Sequence, residues 1–284
     1  MDSIILAGGL GRRLGELAKD TPKPLIEVAG KPVLSYILKS LSHFYLDPLG
    51  HGKCLLTVNP GHEAPFRKFL QENHECQFGL NLELIVESPD IYDADIGPIK
   101  GLHHAYMNHV AEEGTEGAMV LAGDNISSLD LSDFYRFFRQ DTRRSVIALY
   151  DSGGRPIFGD YARAELSRGN IVQRLEEKAM PSFSPLINTT NYIFTDEDMQ
   201  KIGKYLEQGE KESVISWLVK NGSVIQAYKF GHYWFDVGTF DSLERANDFF
   251  TPGGLLASPT YWDQEYQSNP NAIIRENKIK QGEK

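Results

Sequence analysis

The sequence predicts an α/β fold, with a mostly parallel central sheet flanked by helices and a strand-rich part after it. Three observations predict it. Apolar runs of strand length alternate with helix-spaced segments up to about residue 150, the order that builds a parallel sheet covered on both faces. The first run, Ile4 to Ala7, breaks into Gly8, Gly9 and Gly11, three glycines within four positions, as a chain does where it turns tightly over a ligand at the carboxyl end of a strand. Beyond residue 159 the helical spacing gives way to a hairpin pattern and a further strand.

The elements follow in order. Pro32 to Phe44 carries Val33, Leu34, Ile37, Leu38 and Leu41 at helical spacing, with Pro32 suited to a first turn. Lys53 to Val58 is a strand, His62 to Leu70 a helix, Leu82 to Val86 a strand and Ile99 to Val110 a helix. Ala118 to Ala122, Leu131 to Phe138 and Val146 to Tyr150 continue as strand, helix, strand. Gly159 to Leu166 and Ile171 to Lys178 flank Ser167-Arg168-Gly169-Asn170 as a hairpin. A strand over Asn188 to Phe194, helices over Asp196 to Leu206 and Glu212 to Lys220, a strand over Ser223 to Tyr228 and a helix over Asp241 to Phe250 complete the pattern. Residues 251 to 284, with Pro252, Gly253, Gly254, Pro259 and Pro270, read as a partly ordered tail available for contacts in a homo-oligomer.

Composition bounds the function. With 284 residues, 41% hydrophobic and 24% charged, the chain suits one large globular domain. No apolar stretch approaches membrane-spanning length, and no basic, then apolar leader opens the chain. Two cysteines, Cys54 and Cys76, without metal-ligand neighbours, indicate reduced thiols in a cytoplasmic protein. The net charge of −10 argues against a nucleic-acid partner, which needs a basic surface. An anionic ligand must therefore be held by local cations and a metal. Arg12, Arg13 and Lys23, close to the glycines, are the cations at hand.

Two familiar phosphate loops do not fit. The dinucleotide fingerprint needs a glycine where Leu14 stands, and no Gly-Lys-Ser/Thr completes a P-loop. The stretch instead resembles the loop of the sugar-1-phosphate nucleotidylyltransferases, the sugar-nucleotide pyrophosphorylases, which include glucose-1-phosphate thymidylyl- and uridylyltransferases and mannose-1-phosphate guanylyltransferases. Their pattern is Leu-Ala-Gly-Gly-x-Gly-x-Arg-Leu, a spacer, Pro-Lys-Pro-Leu and Gly-Lys-Pro. Leu6 to Leu14, Pro22 to Leu25 and Gly30-Lys31-Pro32 carry all of it.

The resemblance covers roughly residues 3 to 250 and implies a Rossmann-like nucleotidyltransferase fold. Residues 1–150 would mainly bind nucleotide and 151–250 mainly sugar phosphate. It implies that Leu6, Ala7, Gly8, Gly9, Gly11, Arg12, Arg13 and Lys23 hold a nucleoside triphosphate, with Arg13 and Lys23 catalytic. Asp124, after the strand Val120-Leu121-Ala122, and Asp236, in Trp234-Phe235-Asp236-Val237-Gly238-Thr239, match the family's Mg²⁺-binding aspartates. Thr239 or Asp241 could cap the following helix in place of Asp236. Asn125, Gly159, Glu177, Lys178, Thr190 and Asn191 match sugar-phosphate positions, although Asn191 stands where glycine is usual and Ala179 follows Lys178 in place of proline.

Gly97 matches a glycine of the base-reading loop, and Glu87 stands where glutamine is frequent. A carboxylate accepts but does not donate hydrogen bonds. Glu87 therefore suits guanine N1–H and N2, the cytosine amino group or the N3–H of uracil or thymine, and is equally compatible with a solvated loop acid. The reaction implied is in-line attack of a sugar-1-phosphate on the α-phosphorus, releasing pyrophosphate. A non-sugar acceptor such as phosphocholine, a non-catalytic sugar-nucleotide-binding regulator and a dinucleotide oxidoreductase are the competing readings. Leu14 and the acidic pair disfavour the last, and the intact Arg13, Lys23, Asp124 and Asp236 disfavour the regulator.

Overall fold

Ile4 and Ile5, adjacent in sequence, bury on opposite sides of one sheet. The same division holds for Leu55 and Leu56 and for Val120 and Leu121. Side chains alternate across a strand, so a strand covered on both faces is apolar at nearly every position, Ser3 and Thr57 being buried polar exceptions. That is why these runs read as continuous and not alternating. Each such burial is worth about 1.5–3 kcal/mol.

The computed structural model describes residues 1–9, 14–15, 21–48, 50, 52–73, 79–87, 97–112, 114–153, 157, 161–178, 183–210 and 212–251. In chain order these form β1 (Asp2–Leu6), a small hairpin of β2 (Glu27–Val28) and β3 (Lys31–Pro32), α1 (Val33–Leu46), β4 (Cys54–Val58), α2 (Glu63–Glu72), β5 (Leu82–Val86), α3 (Gly97–His109) and β6 (Gly117–Ala122). There follow β7 (Asn125–Ser127), α4 (Leu131–Phe138), β8 (Val146–Asp151), β9 (Arg163–Ser167), β10 (Ile171–Glu176) and β11 (Leu186–Thr195). The last elements are α5 (Asp196–Gln208), α6 (Val214–Lys220), β12 (Gln226–Phe230), β13 (Trp234–Asp236) and α7 (Phe240–Phe250). The tail 252–284, Cys76, Gly11, Arg12, Arg13 and Gly159 lie outside the described residues.

The main sheet has nine strands in the order β5-β4-β1-β6-β11-β8-β12-β10-β9. It is mixed, which corrects the expected mostly parallel sheet. The pairs β5–β4, β4–β1, β1–β6 and β8–β12 are parallel, while β11 runs antiparallel to both β6 and β8, and β10 antiparallel to β12 and β9. The reason is topological: β11 returns from the far hairpin to fill the place between two strands that precede it. Local periodicity reveals a strand but not its neighbours.

Two glycines fix the close approaches. A Cβ on Gly117, at φ +137°, would stand 1.9 Å from the Phe194 carbonyl oxygen, where β6 meets β11. A Cβ on Gly123 would stand 2.6 Å from the Leu6 carbonyl oxygen, so glycine there lets the chain leave β6 directly over the end of β1.

Helices α1, α4 and α7 pack with one apolar cluster, and α3, α5 and α6 with the other. Thr195 caps α5 by accepting from Asp198 N–H (3.2 Å), and a capping box of Thr239 and Ser242 starts α7. Thr239, not Asp236, is therefore the cap. Burial pushes the Cys54 thiol up to about 12, leaving it an inert core residue. Among the described residues no helix is long and apolar enough to cross a membrane.

Candidate active site

The carboxyl ends of β1 and β6 lie side by side, paired from Asp2 with Ala118 to Leu6 with Ala122. The turns that leave them form the walls of a cleft of ≈ 200 Å³ lined by Leu6, Ala7, Gly8, Gly9, Lys23, Pro24, Pro98, Ala122, Asp124 and Thr190. Six sequence-predicted residues thus meet at one place: Leu6, Ala7, Gly8, Gly9, Lys23 and Asp124, with Thr190 joining them from β11.

Lys23 is placed by its two prolines. Pro22 and Pro24 hold a short 3-10 turn over Lys23–Leu25, closed by Leu25 N–H donating to the Pro22 carbonyl (2.8 Å). The side chain is only 11% exposed and donates from Nζ to Asp124 Oδ2 (3.1 Å). Asn125 Nδ2 donates to the other oxygen, Oδ1 (2.9 Å), and Trp234 Nε1 donates to Asn125 Oδ1 (2.5 Å). Both oxygens of Asp124 are therefore oriented, one by a cation and one by a relay ending at an indole. Asn125 is buried within this relay.

Asp236 arrives through a strand pair that the sequence did not reveal. β7 and β13 run antiparallel, with Asp236 opposite Asn125, and Val237 N–H donates to the Asp124 carbonyl (3.0 Å). Two carboxylates from distant sequence thus sit on neighbouring backbones. Among the described residues no group of three or more His, Cys, Asp or Glu side chains could hold a metal ion. A pair of oxygen ligands fits Mg²⁺, which is held by one or two carboxylates and completes its shell with water and substrate phosphates.

Glu87 follows β5 and is 2% exposed, so it is no solvated loop acid. A Cβ on Gly8 would stand 2.9 Å from Glu87 Oε1, and one on Gly101 2.1 Å. Gly101, in α3, is thus the glycine against the carboxyl, while Gly97 begins that helix four residues earlier. Burial pushes the Glu87 carboxyl up to about 7.

The remaining sequence-predicted residues are spread around the cleft. Thr190 takes a left-handed backbone (φ +59°) at a register shift of β11 between Asn188 and Tyr192. Asn191 is turned inward, where Ala122 N–H donates to its Oδ1 (3.1 Å) and its Nδ2 donates to Thr189 Oγ1 (3.1 Å). It ties β11 to the end of β6, a reason for an amide where the pattern has glycine. Glu177 and Lys178 are exposed on the turn after β10, with Lys178 also left-handed (φ +51°). The hairpin register sets Arg163 opposite Glu176. Arg163 is itself buried and donates to the carbonyls of Ser184 (2.7 Å) and Ile157 (2.7 Å).

A second cavity of ≈ 240 Å³ opens beside Asp236, lined by Tyr150, Ile157, Tyr161, His232, Tyr233, Trp234, Phe235, Asp236, Ser242, Arg245 and Phe249. Tyr161 meets Trp234 edge-on at 5.0 Å between ring centroids. The aromatic density of residues 230–236 was its only trace in the sequence.

The family model for nucleotidyl transferases matches residues 2–252. The chain belongs to this family. Among relatives, a glucose-1-phosphate adenylyltransferase of Clostridioides difficile (strain 630) is 26% identical over 271 residues, covering 87% of this chain and 65% of the relative. The chain thus spans less than two thirds of that relative's length. Solved structures agree on the nucleotidyl transferase fold. One from Bacillus anthracis, designated a glucose-1-phosphate thymidylyltransferase and in complex with a sucrose, has a TM-score of 0.68 at 23% identity, covering 87% of this chain and 94% of that one. The inositol-1-phosphate CTP transferase of T. maritima has a TM-score of 0.66 at 17% identity, covering 95% and 96%.

Proposed function

We propose that this protein transfers a nucleotidyl group from a nucleoside triphosphate to a sugar-1-phosphate, with Mg²⁺, releasing pyrophosphate. The observation that carries the reading is the Lys23–Asp124 contact above the glycine turn, with Asp236 on the adjoining backbone. Residues 1–150 would supply most of the nucleotide site and 151–250 most of the acceptor site.

An oxygen of the acceptor phosphate attacks the α-phosphorus in line; the new P–O bond forms as the bond to the β-phosphate oxygen breaks, and pyrophosphate leaves. The attacker is already an anion, so no general base is needed. The barrier lies in bringing anions together, which positioning and fixed charge address. Backbone N–H groups of Gly8, Gly9 and Gly11 cradle the triphosphate. Arg13, helped by Arg12, holds the departing pyrophosphate. Lys23 reaches the α-phosphate once substrate competes for it at Asp124. Asp124 and Asp236 would hold Mg²⁺, which would neutralise phosphate charge there. Thr190 and Lys178 face the acceptor, with Glu177 accepting from its hydroxyls, and the aromatic cavity beside Asp236 offers ring faces to its carbon skeleton.

A polyol phosphate is the second reading, favoured by the extent of the match to the inositol-1-phosphate enzyme. The test is pyrophosphate release with Mg²⁺ across five nucleoside triphosphates and a panel of sugar-1-phosphates, inositol-1-phosphate and phosphocholine. Release confined to sugar-1-phosphates supports the proposal. Release with inositol-1-phosphate or phosphocholine alone replaces the acceptor, and release with none removes the activity.

A further inference from the structure

Glu87 is the described residue whose chemistry is least satisfied. Its backbone N–H donates to the Val58 carbonyl (2.9 Å), which fixes it at the end of β5. Its side chain is 2% exposed, yet among the described residues neither carboxyl oxygen has a hydrogen-bond partner. The niche is shaped for it: any side chain at Gly101 would overlap the carboxyl, and one at Gly8 would press on Oε1. Gly8 also lines the nucleotide cleft, so the carboxyl lies directly behind the cleft wall. A buried acceptor pair without donors is costly, and a ligand that supplies both donors removes that cost.

We infer that Glu87 selects a guanine nucleotide as the donor, its two carboxylate oxygens taking the N1–H and N2–H of the base. The inference rests on the cleft being the nucleotide site proposed above. Guanine alone among the common bases presents two adjacent N–H donors on its pairing edge, and an acceptor-only carboxylate matches them in parallel, as it matches a guanidinium fork. Uracil and thymine set one N–H between two carbonyls. Adenine and cytosine set one amino group beside a ring acceptor. Each of these leaves a carboxylate oxygen facing another acceptor or nothing. Glutamine at the same place offers one donor and one acceptor and loses the match.

The test is equilibrium binding of GTP, UTP, TTP, CTP and ATP, each with Mg²⁺, to the wild-type protein and to Glu87→Gln, by calorimetry. The wild type is expected to bind GTP at least tenfold more tightly than the others, and Glu87→Gln to lose about tenfold for GTP with little change for the rest. Gly101→Ala, which fills the niche, is expected to weaken GTP in the same way. Another triphosphate binding as tightly as GTP, or a preference unchanged in Glu87→Gln, overturns the inference. The wild-type order decides the matter even if a variant folds poorly. Turnover with a triphosphate other than GTP would leave nucleotidyl transfer standing while this inference falls. Preferred GTP binding without pyrophosphate release from any acceptor would do the reverse.

Discussion

Lys23 Nζ donates to Asp124 Oδ2 across 101 residues of chain, at 3.1 Å. The cation proposed to meet the α-phosphate and the carboxylate proposed to hold the metal are partners of one another, Lys23 delivered by its proline-flanked 3-10 turn and Asp124 by the turn that leaves β6. A phosphate arriving between them would exchange one set of charge-assisted bonds for another.

Lys23→Ala and Asp124→Asn should each reduce turnover on the order of a hundredfold or more, since each removes charge stabilisation of the transition state. The side chains are only 11% and 29% exposed, so removing one leaves the other part-buried and unpaired, at a cost of about 1–3 kcal/mol. Pyrophosphate release measured beside the melting temperature checks this. Variants that keep turnover within a few-fold of wild type would remove both residues from the mechanism.

Trp234→Phe keeps the ring in its aromatic surroundings and deletes only the indole donor to Asn125. The buried Asn125 oxygen then lacks its partner, a loss of about 1–3 kcal/mol, and Asp124 loses its orientation. The expected result is a higher Mg²⁺ concentration for half-maximal turnover with a smaller change at saturation. An unchanged Mg²⁺ dependence would show that the relay does not act on Asp124.

Thr190 holds a left-handed backbone that a β-branched residue seldom adopts. Thr190→Gly should release roughly 1 kcal/mol or more of strain while raising KM for the acceptor. A melting temperature that falls, with KM unchanged, would make Thr190 a folding residue only.

The Glu87 carboxyl, pushed by burial to about 7, is raised above its unfolded value, so the folded state binds the proton more tightly. Its contribution is favourable at low pH and is lost as pH rises from the unfolded value through about 7. The full difference is on the order of 3 kcal/mol at most. Melting curves of the wild type and Glu87→Gln between pH 5 and 8 should diverge, the variant gaining as pH rises. Parallel curves would mean that the carboxyl is not buried as an acid in solution.

Strands β4 and β6 were legible because burial on both faces makes each a nearly continuous apolar run; β5, with Glu83 exposed, and α4 begin and end where their patterns do. The glycine turn, Lys23 and Asp124 were legible because their chemistry is local. What escaped depends on register. Trp234 and Asn125 are 109 residues apart, and only the pairing of β7 with β13 makes the indole a partner of the amide. Gly101 sits inside a helix, where nothing local distinguishes it from Gly97 until the Glu87 carboxyl is seen against it. Arg163 lies opposite Glu176 because of a bulge between Val172 and Arg174, which no spacing count registers.

The place of β11 has a consequence for how the molecule is made. A strand synthesised after residue 185 closes the gap between β6 and β8, both of which leave the ribosome long before it. Until it arrives, those two strands expose ladder edges that can pair with other chains. The nucleotide-side strands therefore cannot complete their own sheet, and assembly awaits contacts distant in sequence, which slows folding. A fragment cut near residue 150 would keep the glycine turn and Lys23 yet carry an open edge at β6, and would be expected to aggregate before it could bind.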